Sequence, residues 1–174
     1  MPDQKIVTFL WFNNNAEEAV NFYCSVFERS KILDVMRCGG VGPGPRGSVL
    51  TITFELEGQQ YIALNGGPTF KFNEAISLLI QCDTQDEVDH YWSKLTSGGG
   101  QESQCGWLKD KFGLSWQIVP RSLPAMMSDP DPARVAYRKT WTAGDDVTYD
   151  TSRVRKKNTP LKTKGGRASG PDGA

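Results

Sequence analysis

Histidine is almost missing from this chain of 174 residues: His90 is the single one. A metal cage or nucleophile relay built on several imidazoles is therefore excluded. Cysteine is sparse as well. Cys24, Cys38, Cys82 and Cys105 lie far apart and form no CxxC pair, which argues against a zinc ribbon or a disulfide framework and for core thiols. No window approaches the roughly 18 consecutive apolar residues of a membrane span. The opening MPDQKIVTFLW also lacks the charged segment and long apolar run of a secretory leader, so a cytoplasmic location away from membranes is expected. Net charge is zero by formal count, but it is unevenly spread: residues 1–133 hold 10 Lys and Arg against 16 Asp and Glu, and residues 134–174 hold 10 against 4. An acidic body excludes a nucleic-acid surface there, and a basic tail with almost no large apolar residues is expected to stay disordered.

What is present is a repeated grammar. Ile6 to Phe12 form an apolar, β-branched and aromatic run that ends at Asn13-Asn14-Asn15. Asn15 is the expected helix cap, with Glu18 three residues on, and Ala19, Val20, Tyr23 and Phe27 then recur at helical spacing. Strands follow at Lys31 to Arg37, Ser48 to Leu56 and Gln60 to Leu64, the first two separated by GGVGPGPRG and the last two by a turn at Gly58. After Gly66-Gly67-Pro68 the pattern restarts with a strand from Ala75 to Cys82, a cap at Thr84, Glu87 three residues later, and Val88, Tyr91, Trp92 and Leu95 on one helical stripe. The second copy is offset by 69 residues, with Asn15 falling on Thr84 and Glu18 on Glu87. Short strands at Gln101 to Cys105, Trp107 to Leu108 and Leu114 to Val119 complete it. The expected fold class is α+β, two tandem βαβββ modules. We place a domain at residues 1–136, with module one at 5–67 and module two at 73–120, and a basic tail of low order at 137–174.

One stretch, QCGWLKDKFGLSWQIVP from Gln104 to Pro120, concentrates side-chain chemistry, with a thiol, two tryptophans, an acidic turn and a glutamine. Asp110 reads as a turn former ahead of Lys111-Phe112-Gly113. His90 lies one residue off the apolar stripe of its helix and is expected to face solvent. Nothing fixes a Lys, Arg or His beside Cys105, as an activated thiol would require.

Three segments, LWFNNNAEEAVNFY, ALNGGPTFKFNEA and QCGWLKDKFGLSWQIVP, resemble the vicinal oxygen chelate superfamily, the glyoxalase and bleomycin-resistance group. More narrowly they resemble its PhnB-like branch, whose members often carry the label 3-demethylubiquinone-9 3-methyltransferase. The resemblance covers residues 5–136. It implies two modules, each curling its sheet around a concave cleft that is usually completed in a homodimer. Relatives generally continue past a segment like DPDPARVA into a Met- and Leu-rich helix, whereas Tyr137 onward is basic and rich in Thr and Gly.

Metal enzymes of that superfamily hold their ion with His or Glu from the first and last strands of each module. Laid on that pattern, this chain offers Thr8, Ser77 and Gln117, and no residue from Tyr61 to Asn65 is a carboxylate or imidazole. Neutral hydroxyl and amide oxygens make a poor metal site, so no metal is expected. The methyltransferase label calls for a glycine-rich turn between strand and helix, but Gly39 to Gly47 is interrupted by Pro43 and Pro45 and leads into a strand, so no cofactor is expected either.

Strand alternation then assigns Val7, Phe9, Trp11, Ile76, Leu78 and Ile80 to the helix-packed face, and Thr8, Leu10, Phe12, Ser77, Leu79, Gln81 and Gln117 to the cleft. Trp107, Trp116 and Cys105 are added as possible walls. The resulting reading is a cytoplasmic homodimer that binds a small organic molecule without a metal. The alternatives are an enzyme of the glyoxalase or dioxygenase type, the methyltransferase of the family label, or a module that serves only as a partner surface.

Overall fold

The computed structural model describes residues 4–39 and 44–124. The elements run β1 (Thr8–Phe12), α1 (Ala16–Val26), β2 (Ser30–Arg37), β3 (Val49–Leu56), β4 (Gln59–Asn65), β5 (Leu78–Cys82), α2 (Gln85–Thr96), β6 (Gln101–Glu102), β7 (Trp107–Lys109) and β8 (Ser115–Pro120). They form two four-stranded sheets of identical topology, β1-β4-β3-β2 and β5-β8-β7-β6. In each, the first strand pairs parallel with the last and the others are antiparallel. The two βαβββ modules are present, and the 69-residue offset holds between Ala16 and Gln85, which open the two helices. The domain edge at 136 and the basic tail lie outside the described residues, as do Gly40 to Pro43 of the glycine-proline loop. Among the described residues, no helix is long and apolar enough to cross a membrane.

A single apolar core runs through both modules, from Leu10, Tyr23 and Phe54 to Leu95, Trp116 and Ile118. Aromatic rings carry it across the boundary: Tyr23 of α1 and Phe27 at its C-terminal cap meet Trp116 of β8, with centroids 5.6 Å apart in both pairs, and Phe12 meets Phe72 at 5.2 Å. Such edge and stacked ring contacts add roughly 0.5–1.5 kcal/mol each beyond simple burial. His90 is exposed, as its position predicted, and its Nε2 also donates to the Val26 carbonyl at 3.0 Å, linking the helices.

The two helix starts differ. Thr84 caps α2 through its hydroxyl, which accepts from Glu87 N at 3.2 Å, while the Glu87 carboxylate reaches back to Asp83 N. Asn15 makes no side-chain cap to α1. Asn65, at the end of β4, caps the helix in its place, with Oδ1 accepting from Ala16 N at 2.9 Å and Nδ2 donating to the Val49 carbonyl. Asn14, with φ 61°, uses the left-handed region to turn the chain, and Asn15 is left with φ −121° and ψ 24°. Glu18 is likewise freed from capping and pairs with Lys111 of the β7–β8 turn.

The facing of β1 is the reverse of what strand alternation suggested. Leu10 is 5% exposed and Phe12 lies in the core, whereas Phe9 is 55% exposed. Thr8 shares the core side, since it pairs with Tyr61, which packs against the core beside Phe54. All five residues but Thr8 are apolar, so alternation alone has nothing to orient it. Three tertiary contacts orient it instead. Phe12 must reach Phe72 and Phe112, and Trp11 must lie on the other face, where its Nε1 donates to the Gly67 carbonyl at 2.9 Å. β5 keeps the predicted facing from Leu78 on, but Ala75 to Ser77 are approach rather than strand, and Ile76, assigned to the helix-packed face, is exposed there instead.

Candidate functional site

The β7–β8 hairpin positions the site, and Asp110 positions the hairpin. Its Oδ1 accepts from Phe112 N at 2.9 Å and Leu114 N at 3.0 Å, closing the turn as the sequence suggested. Its Oδ2 accepts from Tyr23 Oη and Trp116 Nε1, both at 2.9 Å, which ties the turn to α1 of the other module. Burial pushes the Asp110 carboxyl above its ordinary range, opposed by the hydrogen bonds from Trp116, Tyr23 and the two amides. Desolvation, then the charge of Asp110 and the bond to it, hold the Tyr23 phenol well above its usual value.

With Trp116 and Ile118 turned into the core, the alternate residues of β8 line the open face of the second sheet. Cross-strand pairing arranges that face in rows. Gln117 has Leu79 on one side and Trp107 on the other, and Ser115, Lys109 and Gln101 form the row beside them. Gln117 is half-buried, and its Nε2 donates to Ser77 Oγ at 2.7 Å. Ser115 is 1% exposed, and its hydroxyl has no hydrogen-bond partner. Lys109 forms an ion pair with Glu74, from the segment before β5, and that contact also draws the Glu74 carboxyl below its ordinary value. Glu74, Trp107, Lys109 and Ser115 border a recess of about 370 Å³ together with Gln101, Glu102, Ser103 and Leu108, with Ser77, Leu79 and Gln117 on the same face outside that lining. That is the lower end of the range for small-molecule pockets.

Of the residues the sequence nominated for a cleft, Ser77, Leu79, Gln81, Trp107 and Gln117 therefore share one face. Gln81 sits toward its edge, where its Oε1 accepts from Arg121. Five do not reach it, Cys105 among them. Leu10 and Phe12 belong to the core, Thr8 stands on the core side of β1, and Trp116 is buried with its indole nitrogen committed to Asp110. Cys105 occupies the β6–β7 turn with φ 58°, exposed, between Ser103 and Trp107 but not itself bordering the recess. Lys109, Ser115 and Glu74 were not nominated. A period of two from Trp107 and Gln117 reaches the first two, whereas Glu74 joins them only through the fold.

The first sheet's open face is largely neutral and partly apolar, with rows Phe9, Ile62, Thr53 and Trp11, Leu64, Thr51. Neither face gathers a donor set for a divalent ion, and among the described residues no cluster of three His, Cys, Asp or Glu exists. A nucleotide-type methyl donor finds no matching cradle either: the two strand-to-helix turns are Asn13-Asn14-Asn15 and Asp83-Thr84, neither with a glycine.

Two tandem βαβββ modules with parallel first and last strands define the vicinal oxygen chelate architecture. The chain belongs to the family described as 3-demethylubiquinone-9 3-methyltransferase, whose model it matches over residues 4–119. A Bacillus cereus PhnB protein is 38% identical, with a TM-score of 0.60, over 67% of this chain and 99% of its own. The Pseudomonas aeruginosa protein PA1353 shares the fold at 19% identity and a TM-score of 0.56, over 68% of this chain and 98% of its own. The fosfomycin resistance protein FosX of Listeria monocytogenes shares it at 14% identity and a TM-score of 0.53, over 74% of this chain and all of its own. No protein of curated function matches the chain.

Proposed function

We propose that this protein binds a small organic molecule on the open face of its second sheet, in a cleft completed by a second copy of the chain, and that it does so without a metal. The observation that carries the reading is the row Leu79, Gln117, Trp107. A half-buried amide and its hydroxyl partner Ser77 stand there between an apolar side chain that is 50% exposed and an indole. Apolar walls with a few fixed hydrogen-bonding groups suit an uncharged or singly charged ligand of modest size. The open face of the first sheet, with Phe9 and Met36 exposed, is the surface a two-fold partner would lay over it, because one symmetric contact covers both faces at once. Cys24, Cys38, Cys82 and Cys105 are all unpaired, which agrees with a reducing cytoplasm.

Titration of isotope-labelled protein with a library of fragment-sized organic molecules tests this reading. Amide shifts centred on Ser77, Leu79, Trp107 and Gln117 are expected, in a protein that light scattering sizes as a dimer. Shifts confined to the helices, or no binder at all, would contradict it.

A further inference from the structure

We infer that the ligand taken by this recess is a small planar carboxylate, whose anionic group replaces Glu74 on Lys109 and reaches the Ser115 hydroxyl. The inference rests on the cleft reading above and names the chemistry it selects. Three observations carry it. Ser115 is a buried hydroxyl without a partner, which a folded protein rarely tolerates unless something else supplies the bond. Its direct cross-strand neighbour is Lys109, so an ammonium and a hydroxyl project from paired positions of β7 and β8 on one face. The ammonium is already engaged by a carboxylate, that of Glu74, whose side chain is well exposed and stands on a segment outside the sheet.

The Lys109–Glu74 pair thus displays, within the protein, the contact that a ligand would make. An exposed ion pair holds weakly against competition, so an incoming carboxylate exchanges for Glu74 at small cost. Once Glu74 withdraws, the same carboxylate lies within reach of Ser115 and accepts from it a hydrogen bond strengthened by charge. Trp107, two positions from Lys109 along β7 and half-buried, supplies an indole face for a planar body. A recess of about 370 Å³ has room for an acid of one or two rings.

Benzoate and its neutral counterpart benzamide are the probes, titrated into full-length protein at low salt by calorimetry and by amide shifts. Benzoate should bind at least about tenfold tighter than benzamide, with shifts at Trp107, Lys109 and Ser115. Glu74→Gln should tighten benzoate by removing the competitor, Ser115→Ala should weaken it severalfold, and Lys109→Gln should erase the preference over benzamide. Because Glu74 and Lys109 lie at the surface, both variants are expected to keep the wild-type near-ultraviolet spectrum. Equal affinity for the two probes, a preference that survives in Lys109→Gln, or no benzoate binding at all would overturn the assignment. Equal affinity with shifts on the Gln117 row would overturn the carboxylate alone and leave the cleft in place. Absence of any organic binder on that face would remove both.

Discussion

Tyr23 Oη donates to Asp110 Oδ2 across 2.9 Å and 87 positions of sequence, joining the first helix of one module to the last hairpin of the other. Trp116 Nε1 and the amides of Phe112 and Leu114 converge on the same carboxylate. Asp110→Ala strands four donors, three of them buried, whereas Tyr23→Phe removes only one. The first is expected to cost about 3 kcal/mol or more and the second about 1 kcal/mol, read from urea unfolding. A loss under about 0.5 kcal/mol for Asp110→Ala would show that the carboxylate does not hold the modules together.

Both partners of that bond titrate above their ordinary values, and the sign of the consequence is the same for each. An acid whose folded pKa is raised contributes stability below its unfolded pKa, and that contribution fades as pH rises through the folded value. Asp110 therefore favours folding toward acid pH, near the unfolded value of about 4, relative to neutrality. Subtracting the unfolding free energies of Asp110→Asn from those of wild type should give a difference that moves toward wild type as pH falls. Tyr23 acts above about pH 10, where wild type should lose stability faster than Tyr23→Phe. Parallel pH profiles in both comparisons would refute this.

The four thiols should separate by reactivity. Burial first, then the charges of Glu87 and Asp83, push Cys82 up to about 12, and Cys38 is buried. Cys24, with its thiol raised by desolvation, is partly accessible, and Cys105 is exposed. Native protein is expected to react with Ellman's reagent at Cys105 fastest and at Cys82 only after unfolding, with the order read by mass spectrometry. Early modification of Cys82 would mean that β5 opens far more readily than its place in the core implies.

If two copies close their open faces on one another, the exposed apolar side chains of those faces carry the contact. Leu79→Glu and Phe9→Glu should each shift the particle mass toward the monomer in light scattering while leaving the far-ultraviolet spectrum unchanged, since both residues are about half exposed within one chain. An unaltered dimer in both variants would place the interface elsewhere.

The doubled architecture was legible because its signals are local: strand, helix cap, apolar stripe and glycine break recur at a fixed offset, and Thr84 with Glu87 behave as their spacing indicates. The facing of β5 was legible for a related reason, since Ser77 and Gln81 alternate with apolar neighbours. β1 carries apolar residues on both faces, so its orientation waits on Phe72, Phe112 and Gly67, which only the fold brings near. Asn65 capping α1 is equally non-local, 49 residues from the amide it serves. The site divides the same way. Gln117 and Trp107 announce themselves on their strands, whereas Glu74 meets Lys109 only after the module closes.

The central claim is that Gln117 is held for a ligand rather than for the sheet, and a paired measurement on Gln117→Leu tests it most directly. Its amide already meets Ser77 at 2.7 Å, so a purely structural role would cost about 1 kcal/mol on substitution and lower the melting temperature by a few degrees. Our account predicts the opposite pattern: affinity for a fragment bound on the open face falls by more than about tenfold, and the melting temperature stays equal or rises. A melting temperature lowered by several degrees with fragment affinity unchanged would contradict it.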